Sequence, residues 1–145
     1  MAVGKSTGMG ITVFSIDDSG GSARAVLNDV LSFGIKTPRG LQDVTGLDKS
    51  AHERLTLLAD GSVDMSYVFN DAATTGFFTV MKNFATIFAG QVGRTLTITF
   101  SGVVGAHTLA MELLFADVPW TRGTDGSLTG SCTGQLSDGT VPAWT

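Results

Sequence analysis

The heptapeptide Thr95-Leu96-Thr97-Ile98-Thr99-Phe100-Ser101 alternates strictly between apolar and hydroxyl-bearing side chains. Successive side chains of a β-strand point to opposite faces of a sheet, so this period of two predicts a strand with Leu96, Ile98 and Phe100 facing a core. Its other face carries only threonine and serine. The segment therefore predicts a half-buried strand in a mainly β protein.

Similar strand patterns recur on both sides of this segment. Strands are predicted at residues 11–16, 25–36, 54–59, 63–70, 109–118 and 127–137. The alternation in 25–36 is imperfect, which predicts a bulge or bend near Asn28 and Asp29. The dipeptide Asp60-Gly61 is a preferred turn sequence, so it predicts a hairpin that joins 54–59 to 63–70.

One segment has the three- and four-residue spacing of an amphipathic helix. Between residues 71 and 89 the apolar stripe consists of Phe77, Phe78, Met81, Phe84, Ala85 and Phe88. Asp71 or Thr74 can serve as its N-cap, while Gly76 weakens it and its end could fall near Ala85. The whole pattern predicts a single domain over residues 1–145, with two sheets packed face to face and the helix covering one end or edge.

Three segments outside this pattern are candidates for contacts with other molecules. Residues 1–9 are small and predict a flexible N-terminal arm. Residues 37–53 carry much of the charge, have weak periodicity and predict a long surface loop, with room for a short strand at 42–45. Residues 138–145 form a C-terminal tail that places Trp144 at the surface.

The composition indicates a surface of unusually low charge. Charged residues make up 15% of the 145 residues, against about 25% in an average soluble domain. Such a surface suits a compact β protein with short turns, or a subunit that buries much of its surface in neighbours. The net charge is −4 with nine Lys and Arg residues, which argues against a nucleic-acid-binding patch.

The residue types that carry chemistry are sparse. Cys132 is the single cysteine, and neither His52 nor His107 stands at a spacing typical of metal ligands. No catalytic site, cofactor or metal is predicted, although a site assembled only in the folded chain stays open as a minority interpretation. The sequence has neither a signal-peptide pattern nor an apolar run long enough to span a bilayer, so no membrane partner is expected.

The order of these features resembles that of the major tail, or tail tube, proteins of long-tailed bacteriophages. A long strand ends in Lys36-Thr37-Pro38-Arg39-Gly40 and is followed by the charged segment 43–51. The segment 53–66 with its Asp60-Gly61 turn comes next. A small-residue strand with Leu128-Thr129-Gly130-Ser131-Cys132-Thr133-Gly134 closes the domain. The resemblance covers most of residues 10–137.

This resemblance implies a β-sandwich or barrel-like fold with one helix, without enzymatic activity. It also implies self-assembly into hexameric rings that stack into a hollow tube, the conduit for DNA ejection. The DNA passes through without specific binding, and strands of all six subunits line the lumen. The implied partners are further copies of the chain and the tape measure, tail terminator and distal tail proteins. The implied location is the virion tail, after synthesis in the host cytoplasm.

Candidate residues for these roles follow from the pattern. Asp64 and Glu112 are lone acids on otherwise uncharged strand faces, which makes them candidates to face the lumen, with solvation of an outer face as the alternative. The loop 37–53, which the resemblance places between successive rings, offers the charged side chains of Arg39, Asp43, Asp48, Lys49 and Glu53.

Other assignments fit the same sequence. A tail terminator, a head–tail connector or a capsid decoration protein is also small, acidic and rich in strands. The tube of a contractile injection system shares the fold, and a gene-transfer particle would look the same. A carbohydrate-binding β-sandwich would need exposed aromatic residues on one sheet face. Trp120 and Trp144 instead follow the ends of predicted strands, which does not favour this assignment.

Overall fold

The computed structural model describes residues 5–82 and 93–145. In chain order the strands are β1 (Ile11–Asp17), β2 (Ala23–Ala25), β3 (Val30–Lys36), β4 (Arg39–Asp43), β5 (Arg54–Ala59), β6 (Ser62–Val68), β7 (Arg94–Ser101), β8 (Ala106–Phe115), β9 (Thr121–Arg122), β10 (Leu128–Leu136) and β11 (Ala143–Trp144). The helix α1 (Phe77–Met81) lies between β6 and β7, and a 3-10 turn at Gly8–Gly10 precedes β1. The expected mainly β chain with a helix is confirmed.

Most of the strands form one antiparallel sheet. Its order is β2-β1-β7-β8-β10-β6-β3, with β11 added beside β8 and β9 beside β10. The strand β7 pairs along its whole length with β8, from Arg94 opposite Leu113 to Ser101 opposite Ala106. The strand β10 bridges β8 and β6, with Gly134 opposite Phe115 on one side and opposite Val63 on the other.

The sheet bends until its two ends meet around the core. Phe14 of β1 and Phe33 of β3 lie near opposite ends of the strand order, yet their ring centroids are 5.2 Å apart. Phe33 also lies 6.0 Å from Phe100 of β7. The two layers expected for a sandwich therefore belong to one continuous sheet with a barrel-like course. Its inner side chains, such as Ile16, Val63 and Leu113, are fully buried.

The small-residue strand β10 fits beneath two aromatic rings. Gly130 lies opposite Tyr67, and a Cβ at this position would approach the Tyr67 ring to 2.6 Å and the carbonyl oxygen of Pro119 to 2.1 Å. At Gly134 a Cβ would come within 2.9 Å of the Phe115 ring. The glycines of this strand are thus required by close packing, since any side chain there would displace its neighbours.

The helix begins later than the sequence predicts. Its N-cap is Gly76, rather than Asp71 or Thr74, because residues 70–76 form a tight turn instead. In this turn the Asn70 side chain accepts a hydrogen bond from Ala72 N at 3.0 Å, and Gly76 N donates to Ala72 O at 3.2 Å. Of the predicted stripe, Phe77 and Met81 are buried and Phe78 is half-buried, while Val80, which is not part of the stripe, is buried as well. The remainder of the predicted stripe, from residue 83 to 89, lies outside the described residues.

The predicted strand over residues 25–36 is interrupted. It begins in β2, whose last residue is Ala25, and resumes as β3 at Val30. Between them the chain turns, with Asp29 N donating to Val26 O at 3.0 Å. The expected bend near Asn28 and Asp29 is therefore present, but it separates two strands that pair with different neighbours.

The predicted hairpin between 54–59 and 63–70 is wrong. The strand β5 pairs with β4, while β6 pairs with β3 and β10. Asp60-Gly61 is not a tight turn, and Gly61 is absent from the positive-φ glycines. A Cβ on Gly61 would lie 3.0 Å from the sulfur of Met111 and 3.3 Å from the Pro142 ring. The glycine therefore permits close packing rather than chain reversal.

Candidate assembly surfaces

The sheet face that points away from the core is rich in hydroxyl groups, and we call it the polar face. It is formed by the side chains of β1, β7, β8, β10, β6 and β3 that alternate with the buried ones. Its hydroxyl-bearing members are Ser15, Thr95, Thr97, Thr99, Ser101, Thr108, Thr129, Ser131, Thr133, Ser62, Ser66 and Ser32. Asp64, Glu112 and Lys36 are charged members of this face. The pattern first seen in β7 thus extends across the sheet.

Asp64 lies in the centre of β6, between Gly34 of β3 and Thr133 of β10. Its carboxylate accepts a hydrogen bond from the Thr133 hydroxyl at 2.6 Å and forms an ion pair with Lys36 Nζ at 3.3 Å. The Thr133 hydrogen bond first, and Lys36 next, lower the pKa of Asp64 below its ordinary value. The carboxylate is therefore charged at neutral pH.

Glu112 lies in β8, opposite Thr95 of β7. Its main-chain carbonyl accepts a hydrogen bond from Ser137 N at 3.0 Å, which places the segment after β10 beside it. Ser137 and Thr133 stand four residues apart on that chain, or about 13 Å in extended conformation. The two predicted acids therefore share the polar face but do not come together as one site.

Among the residues that the structure describes, the strands β4 and β5 form a two-stranded hairpin that hydrogen-bonds to no other strand, and we call residues 39–59 the arm. In the sequence this region appears as a loop over 37–53, whereas the structure gives residues 39–43 to β4. The arm continues the ladder of β3 and β6, because Arg39 opposite Ala59 keeps the same offset as Lys36 opposite Ser62. A bulge follows between Arg39 and Leu41.

The arm exposes apolar side chains on both of its faces. Leu41 and Thr56 are directly opposite and share one face, whereas Leu55 shares the other face with Gln42. The exposed leucines are Leu41, Leu47, Leu55, Leu57 and Leu58, of which Leu58 is 92% exposed. An isolated hairpin is marginally stable in water, and exposed leucines add no stability. These features are typical of an element that is buried against another molecule.

The five charged candidates are distributed along this arm. Asp43 lies at the end of β4 and accepts hydrogen bonds from Thr45 N at 2.9 Å and from the Thr45 hydroxyl. His52 Nδ1 lies 2.9 Å from the other carboxylate oxygen. Hydrogen bonds from Thr45, with a smaller effect of His52, lower the pKa of Asp43. This cluster fixes the start of the tip, which we define as residues 44–53.

The other candidates contribute less to the geometry of the arm. Asp48 and Lys49 form an exposed neighbouring ion pair at 3.6 Å, within the tip. Glu53 closes the tip through its backbone, since its carbonyl accepts from Val44 N at 2.9 Å. Arg39 is exposed at the base of the arm. Sequence reasoning missed the leucines, although their exposure could be suspected from a charged segment followed by Leu55-Thr56-Leu57-Leu58.

Both ends of the described chain lie against the strands β7 and β8. The Ser6 hydroxyl accepts a hydrogen bond from Val103 N at 3.1 Å, in the turn between these strands. At the other end, Thr145 N donates to Thr108 O and Thr108 N donates to Thr145 O, both at 2.9 Å. Trp144 is half-exposed, and its ring lies 5.7 Å from Phe100.

Within residues 5–82 and 93–145, no three His, Cys, Asp or Glu side chains cluster as metal ligands would. Cys132 is buried, which raises the pKa of its thiol to about 12 and leaves it a neutral packing residue. Over the same residues, no helix has the length and hydropathy needed to cross a bilayer.

The sequence matches no known protein family and no curated protein. Solved structures do match the fold. A chain from the virion of a native gene transfer agent particle aligns over 97% of this chain and 99% of its own length, with a TM-score of 0.69 and 14% identity. A chain from the tail of an empty gene transfer agent particle with C6 symmetry aligns with a TM-score of 0.68, 15% identity and coverages of 97% and 99%.

The third match is a tail tube structure determined by solid-state NMR and cryo-electron microscopy. The SPP1 tail tube chain aligns over 97% of this chain and 79% of its own length, with a TM-score of 0.72 and 9% identity. The chain therefore shares its fold with these chains from a gene transfer agent virion, a gene transfer agent tail and the SPP1 tail tube, and the fold expected from the sequence resemblance is confirmed.

Proposed function

We propose that this chain is a structural, non-enzymatic tail tube subunit that self-assembles into stacked hexameric rings. The observation that carries the proposal is the near-full-length match to tail structures, one of which has C6 symmetry. The arm adds support that is specific to this chain, since its exposed leucines require a partner. We place the protein in the tail of a virion or gene-transfer particle, where the tube conducts DNA.

We assign the arm to contacts between successive rings and the polar face to the lumen. Hydroxyl groups keep such a face hydrated without offering phosphate groups a binding charge. Asp64 and Glu112 would then face the passage, while Arg39, Asp43, Asp48, Lys49 and Glu53 would lie at or near the ring-to-ring contact. Copies of the chain are the main partner, and the tape measure, tail terminator and distal tail proteins are partners by the same assignment.

Negative-stain electron microscopy of the purified protein at rising concentration tests the proposal. We expect hollow tubes of uniform width whose averaged cross-section shows six-fold symmetry. Closed single rings at every concentration would contradict stacking and favour a tail terminator or a head–tail connector. A chain that stays monomeric even at high concentration with a crowding agent would contradict self-assembly.

A further inference from the structure

The polar face carries a single cation. All nine Lys and Arg residues lie within the described ranges, so each can be placed. None of the other eight belongs to this face. Arg94 is buried on the inner side of β7, and the remaining seven lie outside the six strands that form the face: Lys5, Arg24, Arg39, Lys49, Arg54, Lys82 and Arg122. Lys36, the last residue of β3, has the same orientation as Ser32 and Gly34 and therefore projects on the polar face.

That cation is paired with Asp64. Lys36 Nζ lies 3.3 Å from one carboxylate oxygen, and the Thr133 hydroxyl donates to the other at 2.6 Å. Gly34 stands directly opposite Asp64, and the space around a Cβ at this position is empty to beyond 4 Å. The lysine side chain can therefore reach Asp64 along the strand pair without meeting an intervening side chain.

The pair is exposed, so its effect on stability is small. The side chains of Lys36 and Asp64 are 70% and 46% exposed. Exposed ion pairs contribute little to folding, because water and salt screen them. The ion pair has a separate effect on the electrostatic potential at the polar face, because Lys36 is available to a phosphate group only when it is not paired with Asp64.

We propose that Asp64 is the neutralising partner of Lys36 and that this pairing prevents the polar face from binding polyanions. The inference rests on the proposed function, because the polyanion it concerns is the DNA that would pass through the tube. Every subunit would present one lysine, so an unpaired Lys36 would recur around each ring and along the stack. Weak phosphate contacts that recur in this way add up through multivalency. Glu112, by contrast, adds negative charge to this face and forms no ion pair with Lys36.

Two isosteric variants distinguish the effect of releasing Lys36 from the effect of removing one negative charge from the polar face. Asp64→Asn and Glu112→Gln each remove one negative charge from the polar face, but only Asp64→Asn releases Lys36. The asparagine oxygen can still accept the Thr133 hydrogen bond, so the sheet is retained. The double variant Lys36→Gln/Asp64→Asn lacks the lysine that Asp64→Asn releases, so it should restore the behaviour of the wild type.

The experiment is co-sedimentation of assembled tubes with a fluorescent single-stranded oligonucleotide at low salt. We expect Asp64→Asn tubes to retain about tenfold more oligonucleotide than wild-type tubes, with retention lost as NaCl is raised. The Glu112→Gln and double-variant tubes should behave like wild type. Equal retention by Asp64→Asn and Glu112→Gln, or none by either, would overturn the inference.

A second measurement distinguishes failure of this inference from failure of the proposed function. If the wild type forms no tubes, the proposed function fails before any oligonucleotide is added, and the lumen part of the inference fails with it. The ion pair itself is then measured on the monomer by NMR titration of the Asp64 carboxyl. Lys36→Gln should raise the pKa of Asp64, and an unchanged pKa would overturn the pairing.

Discussion

At the scale of single residues, two buried polar side chains, those of Asp29 and Arg94, hold the short helix in place. Asp29 is 2% exposed and accepts hydrogen bonds from Phe77 N and from the Asn70 side chain, both at 2.9 Å. At the other end, buried Arg94 donates to the carbonyl oxygen of Val80. A helix of five residues is too short to be stable alone, so these contacts determine where it forms.

Replacing Asp29 with alanine should therefore destabilise the fold. The change leaves the Phe77 amide and the Asn70 side chain without their acceptor, and we expect the free energy of unfolding to fall by about 3 kcal/mol. Urea denaturation followed by circular dichroism measures the loss. Asp48→Ala, in the exposed tip, is the matched control and should shift the midpoint only slightly; equal midpoints for the two variants would refute the role of Asp29.

Residue orientation is the part of the structure that the sequence predicts best. The alternation in β7 predicts that Leu96, Ile98 and Phe100 face the core; Leu96 and Ile98 are buried, and Phe100 is partly buried and packs against the core. The pairing of Lys36 with Asp64 was not predicted, since it depends on β3 and β6 being neighbours, which a local period does not reveal.

At the scale of elements, the strand pairing of the arm shows the limit of local turn signals. Asp60-Gly61 has the composition of a hairpin turn, yet Asp60 N donates to Pro38 O at 2.9 Å and the chain passes on into β6. The reversal takes place in the tip instead. Turn composition is a local property, whereas pairing depends on how well distant strands pack, and here β3 and β10 pair with β6 on its two sides.

Removing the arm tests its role in assembly. Because Pro38 and Asp60 are hydrogen-bonded, residues 39–59 can be replaced by an Asn-Gly turn without displacing β3 or β6. We expect a folded monomer with unchanged near-ultraviolet circular dichroism that forms no tubes in electron micrographs. Lys49→Gln keeps the leucines and should still assemble. Tubes of normal length from the shortened chain would show that the ring contacts lie elsewhere.

The glycines of the strands provide a second test at this scale. Gly130→Ala places a methyl group against the Pro119 carbonyl and the Tyr67 ring, and we expect it to lower the free energy of unfolding by about 1–3 kcal/mol, as overpacking does. Gly34→Ala meets no atom within 4 Å and should be neutral or slightly stabilising. Thermal denaturation of both variants compares them, and similar melting temperatures would contradict the packing argument.

At the scale of the whole molecule, the low content of charged residues and the exposed leucines both favour a surface that is buried against other subunits. The chain carries a net charge of −4, and the arm exposes five leucines beside its charged side chains. The composition suits either a compact β protein or a subunit that buries its surface in neighbours, and it does not show which segment exposes apolar side chains, since exposure depends on the fold. The sequence predicts a charged loop in this region because the charges of the tip stand out in the sequence more than the leucines of the arm do.

Contacts made by the leucines of the arm and contacts made by the charged side chains of its tip respond oppositely to salt. This difference gives a prediction for assembly. If leucines carry the contact, raising NaCl from about 50 to 500 mM should leave the tubes intact or lower the concentration at which they form, because salt screens the mutual repulsion of acidic subunits. Light scattering against protein concentration measures this threshold. Dissolution of the tubes by salt would instead assign the contact to the charged side chains of the tip.

The common register of β3–β6 and β4–β5 restricts where the length of this chain can change during evolution. One residue inserted in β3 would exchange the two faces of the strand beyond it, turning Lys36 toward the core and Ile35 toward water. The tip is free of this restriction, because its ends are joined by the hydrogen bond from Val44 N to Glu53 O. Divergent chains of this fold can therefore accumulate insertions and deletions at residues 44–53 while the strands keep their length.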